Sequence, residues 1–292
     1  MHQHRSLQNR VRGPLPKDAL NLVAVDARPD GVTLDRYMSV AAEAVDLATD
    51  IVRRQGPGAL RAKGDRDMVS DVDVQIERAV REYLQVRSPE VGFLGEEEGN
   101  AAGDGVLQWV LDPIDGTANF VKGIPLFAIS LALLDHQEPV LGLIDLPAEQ
   151  RRYSAATGRG AHCGDTSIRV RPTSRLEEAI VTIGDYAVGE QAKARNRTRL
   201  AVTTRLAERA QRVRMLGSAA IDLAWFAHGR TDAAIIFGNK PWDTAAGVIL
   251  VREAGGRVVD ADGMHHTAQS ASTIAASAEL LDQVLGLIAE AA

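Results

Sequence analysis

A small set of carboxylates carries the chemical signal in this chain. Asp112 and Asp115 stand three residues apart in Trp109-Val110-Leu111-Asp112-Pro113-Ile114-Asp115-Gly116-Thr117, where a buried-looking strand ends and the chain turns. A turn of that length aims both side chains into one small space, and crowded carboxylates repel each other unless a cation sits between them. The Gly116-Thr117 pair that follows offers backbone N–H groups to an anion. Cation plus anion indicates metal-assisted phosphate chemistry. Asp73, Glu96 and Asp243 fall beside other element ends, and hard cations such as Mg2+ collect carboxylate oxygens from separate elements. Each residue also has a plain structural use. Asp73, Asp243 and Thr117 suit helix caps, and Glu96-Glu97-Glu98 reads as a solvated charge run. The set, not any member, makes a site.

The elements that must position these groups follow from the apolar periodicity. Helical spacing over 34–54 ends at Gln55-Gly56-Pro57-Gly58, and 59–67 reads as a charged loop. A second amphipathic helix is expected over 73–86, with Val74, Ile76, Ala79, Val80, Tyr83 and Leu84 on or near its inner face. A short strand at 91–94 runs into Gly95-Glu96. Apolar segments at 127–134 and 140–146, then 152–156 and 161–170, fit a mostly antiparallel sheet. After a boundary at 172–176, strands at 179–183, 211–215, 233–237, 256–259 and 272–275 alternate with helices at 196–209, 218–228, 244–253 and 278–291. That alternation argues for an α/β unit. The expected division is a flexible N-terminal extension over 1–33, an α+β domain over 34–174 and an α/β domain over 175–292.

Bulk properties narrow the function. At 292 residues the chain has length for a substantial core. Its 45% hydrophobic and 25% charged content is ordinary for a soluble protein, and a formal net charge of -6 argues against nucleic acid as the main partner. Cys163 is the single cysteine, which rules out an intrachain disulfide and a thiolate metal cluster and suits a reducing, cytoplasmic setting. No apolar run is long enough to cross a bilayer.

The chain resembles the magnesium-dependent, lithium-sensitive phosphatase superfamily, and within it the inositol monophosphatase family. The matching pieces are Asp67-Met68-Val69-Ser70-Asp71-Val72-Asp73, Gly95-Glu96-Glu97, Asp112-Pro113-Ile114-Asp115-Gly116-Thr117-Ala118-Asn119-Phe120, Pro241-Trp242-Asp243-Thr244-Ala245-Ala246-Gly247 and Glu253-Ala254-Gly255-Gly256. They occur in the family's order and spacing from about residue 34 onward. The resemblance implies a layered αβαβα sandwich and hydrolysis of a phosphomonoester by metal-activated water. Glu96, Asp112 and the Ile114 carbonyl then resemble ligands of a first metal. Asp112, Asp115 and Asp243 resemble those of a second, with Asp112 bridging, and a third, weaker ion contacts Glu96 through water. Asp73 resembles a partner of Thr117 and of metal-bound water, Lys63 a lysine of a mobile loop near the site.

Two cations about 3.5–4 Å apart, one acidifying a water and one neutralising the leaving oxygen, are a general answer to a phosphate dianion. Thr117 and Glu96 would handle that water's proton, while Asp115 and the Gly116 and Thr117 N–H groups would hold the phosphoryl group. The cofactor expected is Mg2+, two to three ions per subunit, with Mn2+ as a substitute and Ca2+ and Li+ as inhibitors. The partner expected is a small-molecule phosphate ester, and the family's common arrangement implies a second copy of the chain, as a homodimer.

Substrate recognition is where the pattern departs. Gly217, Ser218 and Ala219 resemble the segment lining the alcohol side of the family's pocket. The family's glutamate, seven residues before the second-metal aspartate, hydrogen-bonds inositol hydroxyls; here that position is Ile236. Asn239 and Lys240 are the nearby candidates to compensate. Inositol 1-phosphate leads the expected substrates, with histidinol phosphate, fructose bisphosphate and nucleotide 3′-phosphates belonging to related branches. Some members of the family are associated with RNA-processing or transcription machinery, so a binding role on the same fold is the minor alternative.

Overall fold

In the computed structural model, residues 31–56, 60–64, 67–101 and 106–291 are described; the extension expected over 1–33 lies largely outside them. The first helix, α1 (Gly31–Gln55), buries Leu34, Tyr37, Ala41, Val45, Ala48 and Val52 at helical spacing. The segment read as a loop over 59–67 instead contributes a strand, β1 (Leu60–Gly64), which pairs antiparallel with β2 (Asp67–Ser70). Cross-strand hydrogen bonding overrides its polar, glycine-containing composition. Helix α2 (Asp71–Arg87) starts two residues earlier than its apolar pattern suggested. Ser70, not Asp73, is the N-cap, and Asp73 is the third helical residue completing a capping box.

The chain continues through β3 (Gly92–Gly95), β4 (Asn100–Ala101), β5 (Leu107–Asp115) and the one-turn helix α3 (Thr117–Val121). A meander follows: β6 (Ala128–Asp135), β7 (Glu138–Leu146), β8 (Arg151–Ala156), β9 (Ala161–Cys163) and β10 (Thr166–Ile168). The stretch expected as one segment over 161–170 is thus a hairpin turning at Gly164. These strands form an eight-stranded sheet in the order β10-β9-β8-β7-β6-β5-β3-β4, antiparallel except for the β3–β5 pair.

Next come β11 (Ile180–Ile183), α4 (Ala192–Arg209), β12 (Arg212–Arg214), α5 (Ala219–Ala227), β13 (Ala233–Phe237) and α6 (Pro241–Glu253). The chain ends with β14 (Arg257–Val259), β15 (Ser272–Ala276) and α7 (Leu281–Ala289). The five-stranded sheet runs β12-β11-β13-β15-β14, parallel through β12, β11 and β13. Helix α6 begins at Pro241 rather than 244, because proline at the first helical position needs no N–H partner and its φ is already helical. Helix α4 likewise begins four residues before 196, and α7 starts after Ser277, whose hydroxyl accepts the Leu280 N–H.

Three apolar clusters stack these pieces as αβαβα. One lies between α1 and α2 and a face of the large sheet, around Trp109, Leu111, Leu131 and Leu141. The second fills the space between the other face of that sheet, α5 and α6, and the small sheet, around Val110, Tyr153, Phe226 and Ile249. The third packs α4 and α7 on the far face of the small sheet, through Val202, Leu206, Val284 and Leu287. Two glycines set the close approaches of α6. A Cβ on Gly142 of β7 would lie 2.7 Å from the Ala246 carbonyl, and one on Gly247 of α6 would lie 2.5 Å from Leu223 Cβ. Glycine lets α6 sit directly on the strand and against α5. Among the described residues no helix is long and apolar enough to cross a membrane.

Candidate active site

Side chains alternate along β5, so Trp109 and Leu111 enter the core under α1 and α2 while Val110 enters the central one. Asp112 follows Val110 to the central side. Regular alternation would send Asp115, three residues on, to the opposite face. The β5–β6 register breaks between them: Asp112 faces Ser130 and Asp115 faces Ala128. That extra residue is a bulge, and it returns Asp115 to the side of Asp112, towards α5 and α6. There the Asp115 carboxylate accepts from the Ser218 hydroxyl at 2.7 Å and the Ala220 N–H at 2.5 Å. Ser218 in turn caps α5 by accepting the Ile221 N–H at 3.2 Å. One carboxylate thereby ties the end of β5 to the start of α5.

The chain leaves the bulge through Gly116, whose φ of 91° lies in the left-handed region. A Cβ there would lie 2.9 Å from the Leu126 carbonyl oxygen and 3.0 Å from that of Gly217. Gly116, not Thr117, is therefore the N-cap of α3. The Thr117 hydroxyl points back, 3.0 Å from the Ile114 carbonyl and 3.2 Å from an Asp73 oxygen. It has one hydrogen for two acceptors. Asn119 closes the arrangement by donating to the Leu126 carbonyl at 2.7 Å and the Leu216 carbonyl at 2.8 Å. Gly217 is left without room for a side chain, since a Cβ would lie 2.9 Å from the Asn119 amide. The starts of α3 and α5 are thus pinned side by side.

The remaining carboxylates arrive on separate elements. Asp73 comes from the first turn of α2, fully buried and held by the Ser70 N–H and hydroxyl. Asp243 comes from the first turn of α6 and accepts the Lys240 N–H at 2.6 Å. Glu96 follows β3 on a turn whose next two N–H groups, of Glu97 and Glu98, donate to Glu77 at 2.7 and 2.9 Å. Glu77 is buried on α2, one turn beyond Asp73, and also receives Arg81 at 2.7 Å. A Cβ on Gly95 would fall 2.2 Å from the Glu77 carboxyl carbon, so only glycine allows this buttress. Sequence reasoning missed Glu77 and gave Asn119 no task. The available sign for Glu77 was a glutamate sharing the inner face of α2 with Ile76 and Val80.

The electrostatics carry the mark of this crowding. Burial pushes the Asp112 carboxyl well above the usual carboxylate range, and Glu96, Asp115, Asp243 and Asp73 all push the same way. Burial carries Asp115 up to about 6 despite its hydrogen bonds from Ser218 and Ala220. Asp243 is raised to about 7, again chiefly by burial, with Asp115 and Glu96 adding to it. Asp73 is raised by burial against the opposing Ser70 hydrogen bonds. Each of these aspartates accepts from a nearby backbone N–H, and among the described residues no three acidic, His or Cys side chains are already drawn into a geometry that holds an ion. Oxygen donors from β5, α6 and the turn after β3, plus the Ile114 carbonyl, are the donor chemistry of a hard divalent cation.

Of the other expected residues, Ser218 and Ala219 sit at the start of α5 beside Asp115. Ile236 is buried on β13 in the central core. Lys63 falls on β1, and its side chain lies outside the described residues. Asn239 is buried, its amide nitrogen donating to the Ser270 carbonyl at 3.0 Å and its Oδ1 without a hydrogen-bond partner among the described residues.

A family model described as the inositol monophosphatase family matches residues 33–291. The chain is 36% identical over 261 residues to the inositol-1-monophosphatase ImpA of Mycolicibacterium smegmatis, an alignment covering 89% of this chain and 94% of that one. It is 38% identical over 249 residues to a Xylella fastidiosa protein named Nus factor SuhB, covering 85% and 84%. The crystal structure of extragenic suppressor protein SuhB from Bartonella henselae is similar with a TM-score of 0.80 at 32% identity, over 86% of this chain and 98% of that one.

Proposed function

The chain belongs to the inositol monophosphatase family, a group of metal-dependent phosphatases, and from that premise we propose that it is a Mg2+-dependent hydrolase of small polyol monophosphates, with myo-inositol 1-phosphate the leading substrate. The observation that supports this reading is that Glu96, Asp115 and Asp243 all press electrostatically on the buried Asp112, beside the adjoining starts of α3 and α5. Glu96, Asp112 and the Ile114 carbonyl would hold one ion, and Asp112, Asp115 and Asp243 a second. Bound Mg2+ supplies Lewis-acid polarisation and neutralises charge on the phosphoryl and leaving oxygens.

The chain's own groups do the rest. N–H groups of Gly116 and Thr117, which no intrahelical carbonyl claims, face the phosphoryl oxygens. The Thr117 hydroxyl, giving its hydrogen to Asp73, keeps its lone pairs to accept one from the attacking water, and Asp73 makes that acceptor stronger. Glu96 orients the same water, and Glu77 keeps Glu96 in place. No covalent phosphoenzyme is required. The Ile236 side chain accepts no hydrogen bond, which supports a pocket that takes several small esters, inositol 1-phosphate among them. Phosphate release with Mg2+ from inositol 1-phosphate, histidinol phosphate, fructose 1,6-bisphosphate and adenosine 3′,5′-bisphosphate tests the reading. Hydrolysis of inositol 1-phosphate with kcat/KM at or above the others supports it; turnover of none of them defeats it.

A further inference from the structure

We propose that Asp185, at the carboxyl end of β11 beside Ile236, is the carboxylate that reads the hydroxyls of a polyol phosphate in this chain, and that Arg199 is its positioning residue. The proposal rests on the phosphomonoesterase reading and names how that site would select its alcohol. Strands β11 and β13 are parallel neighbours, with Ile183 opposite Ile235. The Gly184 N–H donates to the Ile235 carbonyl at 2.9 Å, so the ladder extends by one residue. A Cβ on Gly184 would lie 3.6 Å from Ile236 Cγ2 and 3.7 Å from Ile236 Cα. Asp185 therefore begins its loop directly next to the residue where a hydroxyl acceptor is missing. The carboxyl ends of parallel strands are where open α/β sheets place their ligands.

The loop carrying Asp185 is held rigidly by α4. Arg199, buried on that helix, donates through one terminal nitrogen to the Asp185 carbonyl at 2.6 Å and through the other to the Phe237 carbonyl. Its guanidinium thus clamps the main chains leaving β11 and β13. A Cβ on Gly238, where φ is 73°, would lie 2.9 Å from that guanidinium. Asn196 adds a two-point hold on Ala187, accepting its N–H at 2.7 Å and donating to its carbonyl at 2.9 Å. Arg199 spends its terminal nitrogens on carbonyls, and the exposed Asp185 side chain forms no hydrogen bond or ion pair with another described residue. The main chain is fixed while the carboxylate is left for a ligand, which is the condition for a preorganised reader.

The neighbourhood of that carboxylate includes α5. Asp222, one turn beyond Ser218, feels the charges of both Asp115 and Asp185. Asp185 therefore lies within electrostatic reach of α5. A carboxylate accepts two O–H hydrogens at once, so it suits a ring bearing neighbouring hydroxyls. Asn239, the alternative reader, gives its amide nitrogen to Ser270 on the opposite flank of β13, and its Oδ1 is buried away from solvent.

The test compares myo-inositol 1-phosphate with phenyl phosphate, which has no hydroxyl to read, using the full chain with saturating Mg2+. Asp185→Asn and Asp185→Ala should each lower the ratio of kcat/KM values, inositol 1-phosphate over phenyl phosphate, by about 10–100-fold, chiefly through KM. Arg199→Lys should lower the same ratio, and should change it no further when combined with Asp185→Ala. A ratio within about 2-fold of the parent in both Asp185 variants, including one where both rates fall together, overturns the proposal. So does a parent enzyme that hydrolyses phenyl phosphate and leaves inositol 1-phosphate intact, although the phosphomonoesterase reading then stands. Turnover of neither ester by the parent defeats that reading, and the proposal with it.

Discussion

Gly116→Ala should damage this protein in a way that a matched glycine elsewhere does not. At a φ of 91°, an L side chain costs about 1–2 kcal/mol in the left-handed region. The added methyl also meets two backbone carbonyl oxygens, at 2.9 Å and 3.0 Å. Neither can rotate away as a side chain end would, and forced overpacking of this kind costs about 1–3 kcal/mol. Together the loss is about 2–5 kcal/mol, which a domain with about 5–15 kcal/mol of stability survives folded. Gly123, just beyond α3, is the control: its φ is 70° but no atom lies within 4 Å of the place a Cβ would take. Gly123→Ala should cost only the conformational part. Urea denaturation of both variants, at equal m, isolates the close approach as the difference, about 1–3 kcal/mol. Turnover should separate them further, because the displaced carbonyl belongs to Gly217, and a shift near 1 Å in a reacting site costs about 10²-fold. Equal midpoints within about 0.5 kcal/mol, with equal kcat, would refute the idea that α3 and α5 are locked through Gly116.

Chelated protein should lose stability as pH rises. The folded-state carboxyls of Asp115 and Asp243 are raised to about 6 and about 7, so their contribution is complete below the ordinary carboxylate range and disappears as pH climbs through 6–7. Melting temperatures in EDTA should fall from about pH 5 to about pH 8, and saturating Mg2+ should restore most of the loss at the upper end; a flat profile with no Mg2+ effect would contradict the donor assignment. Asp112→Asn should lower kcat by at least about 10²-fold with Mg2+ present, yet in EDTA at about pH 8 it should melt no lower than the parent. Thr117→Ala should cost about 1 kcal/mol in stability for its lost hydrogen bond and considerably more in kcat, measured on fully folded protein; unchanged turnover would leave the hydroxyl a structural group only. Asp222→Asn should raise the melting temperature near pH 8 by roughly 2–6 °C, because both Asp222 oxygens are buried without a hydrogen bond of good geometry and burial raises its carboxyl well above the usual range. The gain should shrink as pH falls, because burial favours the neutral carboxyl; a variant less stable across the whole pH range would show that Asp222 is hydrogen-bonded after all.

Much of this was legible in the chain itself, wherever chemistry is local. Helical and alternating apolar spacing located α1, α2, β5 and the meander, since burying one face requires a period of 3.6 or 2. The carboxylates and the Gly-Thr turn point to a cation and a phosphate, the reading proposed above, because hard cations and anions call for such residues at element ends. Helix starts were less legible. Pro241 and Ser70 begin their helices before the apolar pattern does, and composition hid the β1–β2 hairpin because its strands are stabilised by each other.

What the tertiary structure decided is how groups distant in sequence meet. Two aspartates three residues apart on a strand face opposite ways until a bulge, visible only in the β5–β6 register, turns them together. Nothing in the order of residues says that Glu77 supports the turn bearing Glu96, or that Asn119 binds α3 to the loop before α5. Nor does Asp185, more than fifty positions from Ile236, declare itself beside that residue until β11 and β13 pair. Periodicity encodes which face of an element is buried. Which element lies against that face depends on summed packing across layers, because many sheet orders satisfy the same local pattern and only the complete set of close approaches, through Gly142, Gly247 and Gly116, admits this one.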